Sequence, residues 1–430
     1  MNKVLLIILG IGAVALGIVW WLVISEDNVS QTENRRDVSE EGVSEDFVGA
    51  EVAEVRTFEL VSEKVVLGDS IEANFRLPSV FDIEIAAEDL GRARFMAMSS
   101  DGRVFVPDLV NYSLSHEGRV IILGDFNEET HRFETRSTYL SGLRGPNSVA
   151  FYTDQDGNEW FYIALTDRLV RYSYRAGDLR PSSEPELIAT FPDWQSPGET
   201  SVVWHITRTI LFHDDTLYVS VGSGCNACEQ PETEMRGAIL AMDPKGENVR
   251  IYADGLRNAV GIEWAGDALY ATENGVDHLG SAAPDDVMYQ INPGEHYGWP
   301  YCYELNGVNY EDESRSWERK TDVCENAPLS FAAFGPHTAP LGLTFFEEAH
   351  PVLKDSFLVA LHGSFEPEIG RGYQVVRVSK GGEKDIFMDG FLSEDGERFG
   401  RPVHFLQRDE NSFFMTDDHK GRIYYIYARE

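Results

Sequence analysis

An arginine and an asparagine stand side by side just before an apolar run, in the tract Asp254-Gly255-Leu256-Arg257-Asn258. An arginine side chain offers a planar fork of donors that suits anionic oxygens, and an asparagine side chain both donates and accepts hydrogen bonds. Arg257 and Asn258 are therefore candidates for binding a polar or anionic ligand. The alternative is structural, since a Gly-Leu-Arg-Asn turn can simply fix the corner between a loop and a strand.

The four cysteines of the chain form two pairs, Cys225 with Cys228 and Cys302 with Cys324. An even number favours two disulfides outside the cytoplasm, and the wider pairing would close a loop worth about 3 kcal/mol in the chain-entropy model. The Cys225-x-x-Cys228 spacing also suits a redox pair or half of a zinc site. Both alternatives are weaker, because a second CxxC is missing and no βαβ pattern surrounds this one.

Short runs of aromatic and β-branched residues, each preceded by a turn pair, return about every 50 to 60 residues. The turn pairs are Asp101-Gly102, Asp156-Gly157, Asp214-Asp215, Gly266-Asp267, Lys354-Asp355 and Glu410-Asn411. This pattern is typical of a radial array of antiparallel sheets. It predicts an all-β fold, a six-bladed β-propeller over residues 57–430, in which loops from every blade converge on one central channel.

One interval of the repeat, from Gly266 to Lys354, is much longer than the others. The excess is an insertion over residues 293–336, rich in glycine, proline, asparagine and charge. Loops of that length without regular structure are uncommon unless they are lids, binding loops or disordered segments. We interpret the insertion as a long functional loop that shapes a pocket.

The first residues of the chain carry one uncharged apolar stretch, from Val4 to Ile24, with Lys3 before it. At 1.5 Å per residue this stretch is long enough to cross roughly 30 Å of hydrocarbon. No small-x-small cleavage site ends it, so we expect a signal anchor, a transmembrane helix over residues 1–25 with the body outside the cytoplasm. A cleaved signal peptide would leave the body in the same periplasmic or extracellular compartment. Residues 26–56 are polar and acidic and predict a flexible, disordered linker.

Composition sets the class of protein and of partner. The chain has 430 residues, of which 43% are hydrophobic, which is enough for a large core. Its 72 acidic and 36 basic side chains give a formal net charge of -36. Such a surface repels phosphate backbones, and no basic tract interrupts it, which argues against nucleic acid as a partner.

Further tracts extend the pattern around Arg257 in both directions. They are His205-Ile206-Thr207-Arg208-Thr209 and residues 219–228, 271–275, 294–302, 337–343, 360–364, 372–378 and 400–403. Over about residues 140–430 the sequence resembles the glucose/sorbosone dehydrogenase family, six-bladed propellers that bind pyrroloquinoline quinone (PQQ) and calcium. The CxxC and the sequence His362-Gly363-Ser364 are most similar to the sorbosone-dehydrogenase-like branch.

The resemblance implies a catalytic role for one histidine. In that family a histidine at the start of the third blade is the general base, and His205 is the matching residue. Histidine can accept the proton of a sugar hydroxyl at neutral pH, while hydride passes from the same carbon to the quinone. Without the resemblance, His205 beside Trp204 would be interpreted as a hydrogen-bonded core residue.

The resemblance also implies the cofactor contacts. Arg257, as a second catalytic residue, and Asn258 would face the quinone oxygens. The other implied cofactor-binding residues are Asn147, His362 and Arg401, with Arg401 reaching a PQQ carboxylate. At two places where the family has a lysine and a second arginine, this sequence has His362 and Phe399. For Arg401 the alternative is an ion pair between blades.

Calcium is a hard cation that takes oxygen ligands, including backbone carbonyls. The resemblance places the backbone carbonyls of Gly275 and Val276 at that ion. Direct ligation by the nearby carboxylates is given less weight, because acidic residues in such loops are more often turn formers; these are Glu273, Asp277, Asp285 and Asp286. Three aromatic residues of the insertion would cover the sugar or the cofactor, or would simply pack, namely Tyr297, Trp299 and Tyr301.

The sequence therefore indicates PQQ- and calcium-dependent oxidation of an aldose or related sugar, by hydride transfer to the quinone. Electrons would leave to a separate, unidentified acceptor, because Glu229 follows Cys228 and no Cys-x-x-Cys-His haem motif is present. The first alternative is a non-catalytic extracellular propeller that binds glycan or protein, which His362 and Phe399 favour. The second is a calcium-dependent lactonase, which would need side-chain carboxylates converging on the ion.

Overall fold

The computed structural model describes residues 58–68, 71–111, 115–192, 204–229, 235–315 and 322–429. Their first elements are a hairpin of two strands and a third strand, β1 (Leu60–Val66), β2 (Glu72–Pro78) and β3 (Phe81–Ala87). The predicted signal anchor and linker lie outside the described residues. Within the described residues, no helix is long and apolar enough to cross a membrane.

The next twelve strands form three four-stranded antiparallel sheets. Blade one has β4 (Ala97–Met98), β5 (Val104–Asp108), β6 (Gly118–Asn127) and β7 (Arg132–Leu143). Blade two has β8 (Ser148–Thr153), β9 (Glu159–Ala164), β10 (Arg168–Ser173) and β11 (Glu186–Thr190). Blade three has β12 (Arg208–His213), β13 (Thr216–Val221), β14 (Ala238–Met242) and β15 (Arg250–Ala253).

Three further four-stranded sheets complete the ring among the described residues. Blade four has β16 (Ala259–Ala265), β17 (Ala268–Glu273), β18 (Asp286–Ile291) and β21 (Ala332–Gly335), with the hairpin β19 (Cys302–Leu305) and β20 (Val308–Glu311) and the helix α1 (Val323–Asn326) between β18 and β21. Blade five has β22 (Pro340–Phe346), β23 (Ser356–Leu361), β24 (Gln374–Ser379) and β25 (Lys384–Met388), with a 3-10 turn at Pro367–Ile369. Blade six has β26 (Pro402–Asp409), β27 (Ser412–Asp417) and β28 (Arg422–Ala428), and its fourth strand is β3.

The six-bladed propeller predicted from the repeat is confirmed. Each of the six turn pairs joins the first and second strands of one blade, as Gly266-Asp267 joins β16 to β17. Gly266 has a φ of 58°, in the left-handed region that glycine adopts at no steric cost. The repeat therefore marks the connection between the first and second strands of every blade.

Neighbouring blades pack face to face through large apolar side chains. Phe105 of blade one and Phe161 of blade two are fully buried, with ring centroids 5.4 Å apart. Burying one such aromatic side chain contributes about 1.5–3 kcal/mol to the free energy of folding. The apolar layers between blades therefore hold the propeller together. The ring closes where β3 pairs with β28, with Glu84 opposite Tyr425.

The insertion over residues 293–336 is more ordered than its composition suggested. It contains the β19–β20 hairpin and α1, and it also includes β21, the outer strand of blade four. Tyr303 and Tyr310 face each other across the hairpin with ring centroids 5.7 Å apart, a cross-strand pair that stabilises such a ladder. The Cys302–Cys324 disulfide ties the hairpin to α1.

The topology brings the predicted site residues to one face. In each blade the first strand starts, and the second strand ends, at the same edge of the sheet, because the two strands are antiparallel. His205, Arg257 and Arg401 precede the first strands of blades three, four and six, whereas Gly275 and His362 follow the second strands of blades four and five. These residues therefore lie around one end of the central channel, here called the upper face.

Candidate active site

His205 lies just before β12 and is held by the turn after β13. Its Nδ1 is 2.9 Å from the Ser223 carbonyl oxygen and 3.0 Å from Ser223 Oγ. A carbonyl oxygen only accepts hydrogen bonds, so Nδ1 carries the proton and Nε2 is left with its lone pair. His205 also has a φ of 46°, a left-handed conformation that costs about 1–3 kcal/mol outside glycine, and Arg208 Nη1 donates to its carbonyl oxygen at 2.6 Å.

The environment keeps His205 neutral. Burial lowers the pKa of His205 well below its usual value, and the positive charge of Arg257 lowers it further, with smaller effects from Arg236 and Arg208. The imidazole is therefore a free base at neutral and weakly acidic pH. A positioned neutral imidazole of this kind can accept a proton from a hydroxyl group.

Gly222 allows His205 and Asn258 to approach each other. A Cβ at position 222 would lie 2.6 Å from His205 Cβ and 2.7 Å from Asn258 Oδ1. Real Cβ atoms do not tolerate such contacts, so only glycine fits between the two side chains. The structure therefore brings His205 and Asn258, predicted from separate tracts, to the same point.

Arg257 is buried and its guanidinium is held on several sides. Nη2 donates to Asn226 Oδ1 at 2.9 Å and to Asp277 Oδ2 at 2.6 Å, and Nη1 donates to the Asn274 carbonyl oxygen at 3.2 Å. The guanidinium carbon lies 5.5 Å from the centre of the Trp204 ring. Arg257 thus joins the CxxC turn of blade three to the predicted calcium turn of blade four.

Two buried carboxylates support the predicted calcium turn through its backbone. Glu273 Oε1 accepts the amides of Arg257 at 2.6 Å and Asn258 at 3.0 Å, and Asp286 Oδ1 accepts the amide of Gly275 at 2.7 Å. Burial raises the pKa of Glu273 to about 8 and also raises the pKa of Asp286. These carboxylates act as scaffolding for the turn.

The carbonyl oxygens of Gly275 and Val276 accept no hydrogen bond from any described residue. In the part of the chain that the structure describes, no group of three or more His, Cys, Asp or Glu side chains could hold a metal ion. Backbone oxygens such as these are ligands that calcium accepts.

A second cluster of charges lies at blades five, six and one. Asp418 is fully buried, and its Oδ1 is 2.7 Å from His362 Nε2. Its Oδ2 accepts Arg94 Nη1 at 2.9 Å and lies 3.6 Å from Arg92 Nη1. One carboxylate therefore joins side chains from three blades.

The charges in this cluster shift the pKa values of both Asp418 and His362. Burial alone would raise the pKa of Asp418, but the neighbouring His362 and Arg94 hold it well below its usual value. Burial and the charge of Arg401 lower the pKa of His362 to about 4, although Asp418 opposes them. His362 is therefore neutral at pH 7, with the Nε2 proton directed at Asp418.

Arg401 joins the upper ends of blades five and six. Its Nε donates to the His362 carbonyl oxygen at 3.0 Å, and its Nη2 donates to the carbonyl oxygen of Gly363. The guanidinium carbon lies 5.6 Å from the centre of the Tyr373 ring. Arg401 therefore lies beside His362, oriented by two carbonyl oxygens and an aromatic ring, and its contact with a PQQ carboxylate stays a prediction.

Asn147 is fully buried in the channel wall. Its Oδ1 accepts Arg94 Nε at 2.8 Å, and its Nδ2 donates to the Arg208 carbonyl oxygen at 3.0 Å and contacts Thr209 Oγ1 at 3.2 Å. Both ends of the amide are thus engaged with protein, and Asn147 links blades one, two and three. A direct contact from Asn147 to PQQ stays a prediction.

The three aromatic residues of the insertion serve mainly as packing. Trp299 is buried and donates from Nε1 to the Asn226 carbonyl oxygen at 3.0 Å. Tyr297 is part of the core of blade four, and the Tyr301 hydroxyl contacts Glu229 Oε1 at 3.2 Å. The packing alternative therefore describes Tyr297 and Trp299 better than a role as a cover over the channel.

Both predicted disulfides are present, Cys225–Cys228 and Cys302–Cys324. The first encloses Asn226, a residue that the sequence interpretation passed over although it stood inside the CxxC motif. Arg94 and Asp418 were also missed. Their positions are 324 apart in the chain, and no local pattern links them.

Comparisons with known proteins identify relatives of the whole propeller. A protein of Borreliella burgdorferi, itself uncharacterized, is 23% identical over 393 residues, which cover 87% of this chain and 96% of that protein. Among solved structures, the calcium structure of the Trichoderma reesei Carbohydrate-Active Enzymes Family AA12 protein superposes with a TM-score of 0.68 at 18% identity, over 82% of this chain and 96% of that one.

Two further solved structures share the fold. The holo form of the pyranose dehydrogenase PQQ domain from Coprinopsis cinerea gives a TM-score of 0.66 at 18% identity, over 83% of this chain and 97% of that one. The apo form of the soluble aldose sugar dehydrogenase from Escherichia coli gives 0.55 at 13% identity, over 81% and 100%. A model of the TrAA12-like family matches residues 76–429, which is most of the chain. The chain therefore belongs to the TrAA12-like family.

Proposed function

We propose that this protein oxidises an aldose or related sugar by hydride transfer to PQQ, bound at the upper face together with calcium. One observation carries the proposal. A neutral histidine, His205, has its Nδ1 proton fixed on Ser223 and its Nε2 lone pair available, and it lies against Asn258 beside the charge of Arg257. The names of the similar solved structures, a pyranose dehydrogenase PQQ domain and an aldose sugar dehydrogenase, agree with it.

The residues present fit both groups. When bound, PQQ would accept the hydride, and calcium would polarise its carbonyl group. The carbonyl oxygens of Gly275 and Val276, which accept no hydrogen bond from the part of the chain that the structure describes, suit the cation. Arg257, Asn258 and Arg401 are the donors proposed for the anionic oxygens of the quinone, with His362 beside them.

The proton step belongs to His205. Its Nε2 takes the proton of the sugar hydroxyl as hydride leaves the same carbon. The imidazolium that results is stabilised because its Nδ1–H already donates to the Ser223 carbonyl oxygen. The low pKa of His205 then favours release of the proton to water, which returns the base to its starting state.

The cellular setting is part of the same proposal. Both disulfides suit an oxidising compartment outside the cytoplasm. We propose that residues 1–25 anchor the propeller to the membrane and that residues 26–56 tether it. A separate protein or small molecule would then collect the electrons.

Reconstitution tests the proposal. The full-length protein is incubated with PQQ and calcium, and sugar oxidation is followed with an artificial electron acceptor. We expect turnover that needs both additions, is lost in His205→Ala and is retained in His213→Ala, a control at the far end of the same strand, where His213 stacks on Trp264. Absence of cofactor-dependent turnover, or full activity in His205→Ala, would reject this function.

One observation favours the non-catalytic alternative, a propeller that binds glycan or protein. Where the resemblance implies a lysine, His362 has a pKa of about 4 and carries no positive charge at neutral pH. PQQ binding changes the absorbance spectrum and raises the unfolding temperature in the presence of calcium. Glycan binding without either change would favour the alternative.

A further inference from the structure

Asn226 uses every polar atom of its side chain at the junction between blades three and four. Its Oδ1 accepts Arg257 Nη2 at 2.9 Å and the Asp277 amide at 3.0 Å. Its Nδ2 is 3.2 Å from His278 Nδ1, and His278 Nε2 is 2.7 Å from Asp312 Oδ2. The carboxylate of Asp312 fixes the proton on Nε2, so Nδ1 is an acceptor and the amide orientation of Asn226 is consistent throughout.

The backbone of Asn226 adds to the same junction. Its carbonyl oxygen accepts Trp299 Nε1 at 3.0 Å and Arg257 Nε at 3.1 Å. Asn226 thus contacts the guanidinium through both its side chain and its backbone. Mobile surface groups do not make such a set of contacts, which requires a rigid support.

The Cys225–Cys228 disulfide supplies that support. It closes a loop of four residues in which Cys225 and Ala227 are fully buried, packed with Val276 and Trp299. Ser223 Oγ is 2.7 Å from the Cys225 carbonyl oxygen and 3.0 Å from His205 Nδ1. The closed loop therefore contacts the surroundings of both proposed catalytic residues.

We propose that Asn226 is a positioning residue, which sets the orientation of Arg257 and of the turn Gly275-Val276-Asp277-His278. This inference rests on the proposed function for its consequence, which is the affinity for PQQ and calcium. It goes further, because it assigns the CxxC loop the task of aligning the anion-binding arginine with the calcium-binding carbonyls. Nothing in this role requires Asn226 to touch the cofactor.

The variant Asn226→Ala tests the role. It removes the side-chain oxygen that Arg257 Nη2 and the Asp277 amide share as acceptor, and we expect PQQ affinity, measured by absorbance titration with calcium present, to fall about ten-fold or more. Asn226→Asp keeps the acceptor oxygen for Arg257 and Asp277 but loses the donor to His278 Nδ1, so it should restore part of the affinity. The matched control is Asn309→Ala, which removes a hydrogen bond of 2.8 Å to the Ala327 carbonyl oxygen in the insertion and should bind PQQ as the parent does.

A readout without cofactor separates this inference from the proposed function. Hydrogen exchange of the Asp277 amide is measured in the cofactor-free full-length protein, and it should accelerate in Asn226→Ala but not in Asn309→Ala. If the parent protein binds no PQQ, the proposed function fails, while the exchange data still decide the positioning role.

The double variant Cys225→Ser/Cys228→Ser covers the case in which Asn226→Ala does not fold. It opens the loop but keeps Asn226, and we expect faster Asp277 exchange, with a smaller loss of PQQ affinity than Asn226→Ala shows. Unchanged Asp277 exchange in the variants that fold would overturn the positioning role. So would a loss of affinity that Asn226→Asp does not even partly restore.

Discussion

The two sides of the upper face are built on different principles. The side formed by blades three and four, called here the amide side, consists of His205, Asn226, Arg257 and the turn 273–278, held by amides and carbonyls. The side formed by blades five, six and one, called the charge side, consists of Arg94, His362, Arg401 and Asp418, centred on one buried carboxylate.

The difference lies in what each side does for the molecule. On the amide side, the guanidinium of Arg257 is held by the Asn226 amide and the Asn274 carbonyl as well as by the exposed carboxylate of Asp277, and no buried carboxylate among the described residues of this side gathers several cations. On the charge side, Asp418 contacts the cations Arg92 and Arg94 and the neutral His362 and joins the first and last blades, so its main effect is to hold the propeller closed. We therefore expect variants of the amide side to change chemistry and variants of the charge side to change stability.

The largest expected effect is a loss of folding free energy when the Asp418 carboxylate is removed from the charge side. Asp418→Asn leaves Arg94 buried without its carboxylate partner, and removal of one member of a buried ion pair costs about 3–5 kcal/mol. Equilibrium unfolding in denaturant measures this free energy. The control Asp355→Asn removes an exposed ion pair with Lys380, which should cost no more than about 1 kcal/mol. Equal losses in the two variants would contradict a special role for Asp418.

The second prediction concerns the insertion, which lies on the amide side. Cys302→Ser/Cys324→Ser removes a bridge across 22 positions, and the chain-entropy model gives a loss of about 3 kcal/mol. Thermal unfolding measures the change. Because the bridge does not touch Asn226, PQQ affinity should fall less than in Cys225→Ser/Cys228→Ser, and the reverse order would show that the insertion controls binding.

The third prediction concerns the effect of Arg257 on the pKa of His205, on the amide side. Burial and then the charge of Arg257 lower the pKa of His205, so Arg257→Met should raise that pKa towards its ordinary value, while Arg236 and Arg208 keep part of the depression. The pH below which His205 is protonated, and can no longer accept a proton, therefore rises. Imidazole NMR titration of the cofactor-free protein measures it, and a pKa that stays or falls would contradict the inferred coupling.

The fourth prediction concerns the pH dependence of stability that Glu273 causes. Its pKa is raised to about 8 in the folded protein by burial, so folding takes up a proton between the ordinary carboxyl pKa, 4.5, and about 8. The parent protein should lose stability as the pH rises through this window. Glu273→Gln should lose less over the same window. Denaturant unfolding at pH 5 and pH 8 measures both, and parallel profiles would show that Glu273 titrates normally.

The sequence predicted more of the amide side than of the charge side. The turn pairs predicted all six blades correctly, and contiguous motifs made His205, Arg257 and Gly275 candidates, because the amide side is assembled from nearby segments of the chain. The pairing of Arg94 with Asp418, and of β3 with β28, depends on contacts between the two ends of the polypeptide. Such contacts arise from ring closure and leave no periodic signal.

Residue type alone did not predict the contacts of two candidate ligand-binding residues. The Asn147 amide is hydrogen-bonded to Arg94 and to the Arg208 carbonyl oxygen, and the Tyr297 hydroxyl donates to the Gln290 carbonyl oxygen. Polar groups on buried side chains need partners, and here the backbone and neighbouring blades supply them. Conversely, Asn226 was not predicted, because the CxxC motif was interpreted through its two cysteines alone.

The pairing of β3 with β28 fixes the order in which the molecule can be completed. During synthesis β3, the fourth strand of blade six, is made before the strands of any other blade. Its edge for β28 stays unpaired until residues 422–428 have been made. A chain that ends early therefore lacks more than its final strands, since it also leaves an apolar strand at the opposite terminus without a partner. The free energy of pairing β3 with β28 is therefore gained only after residues 422–428 have been made.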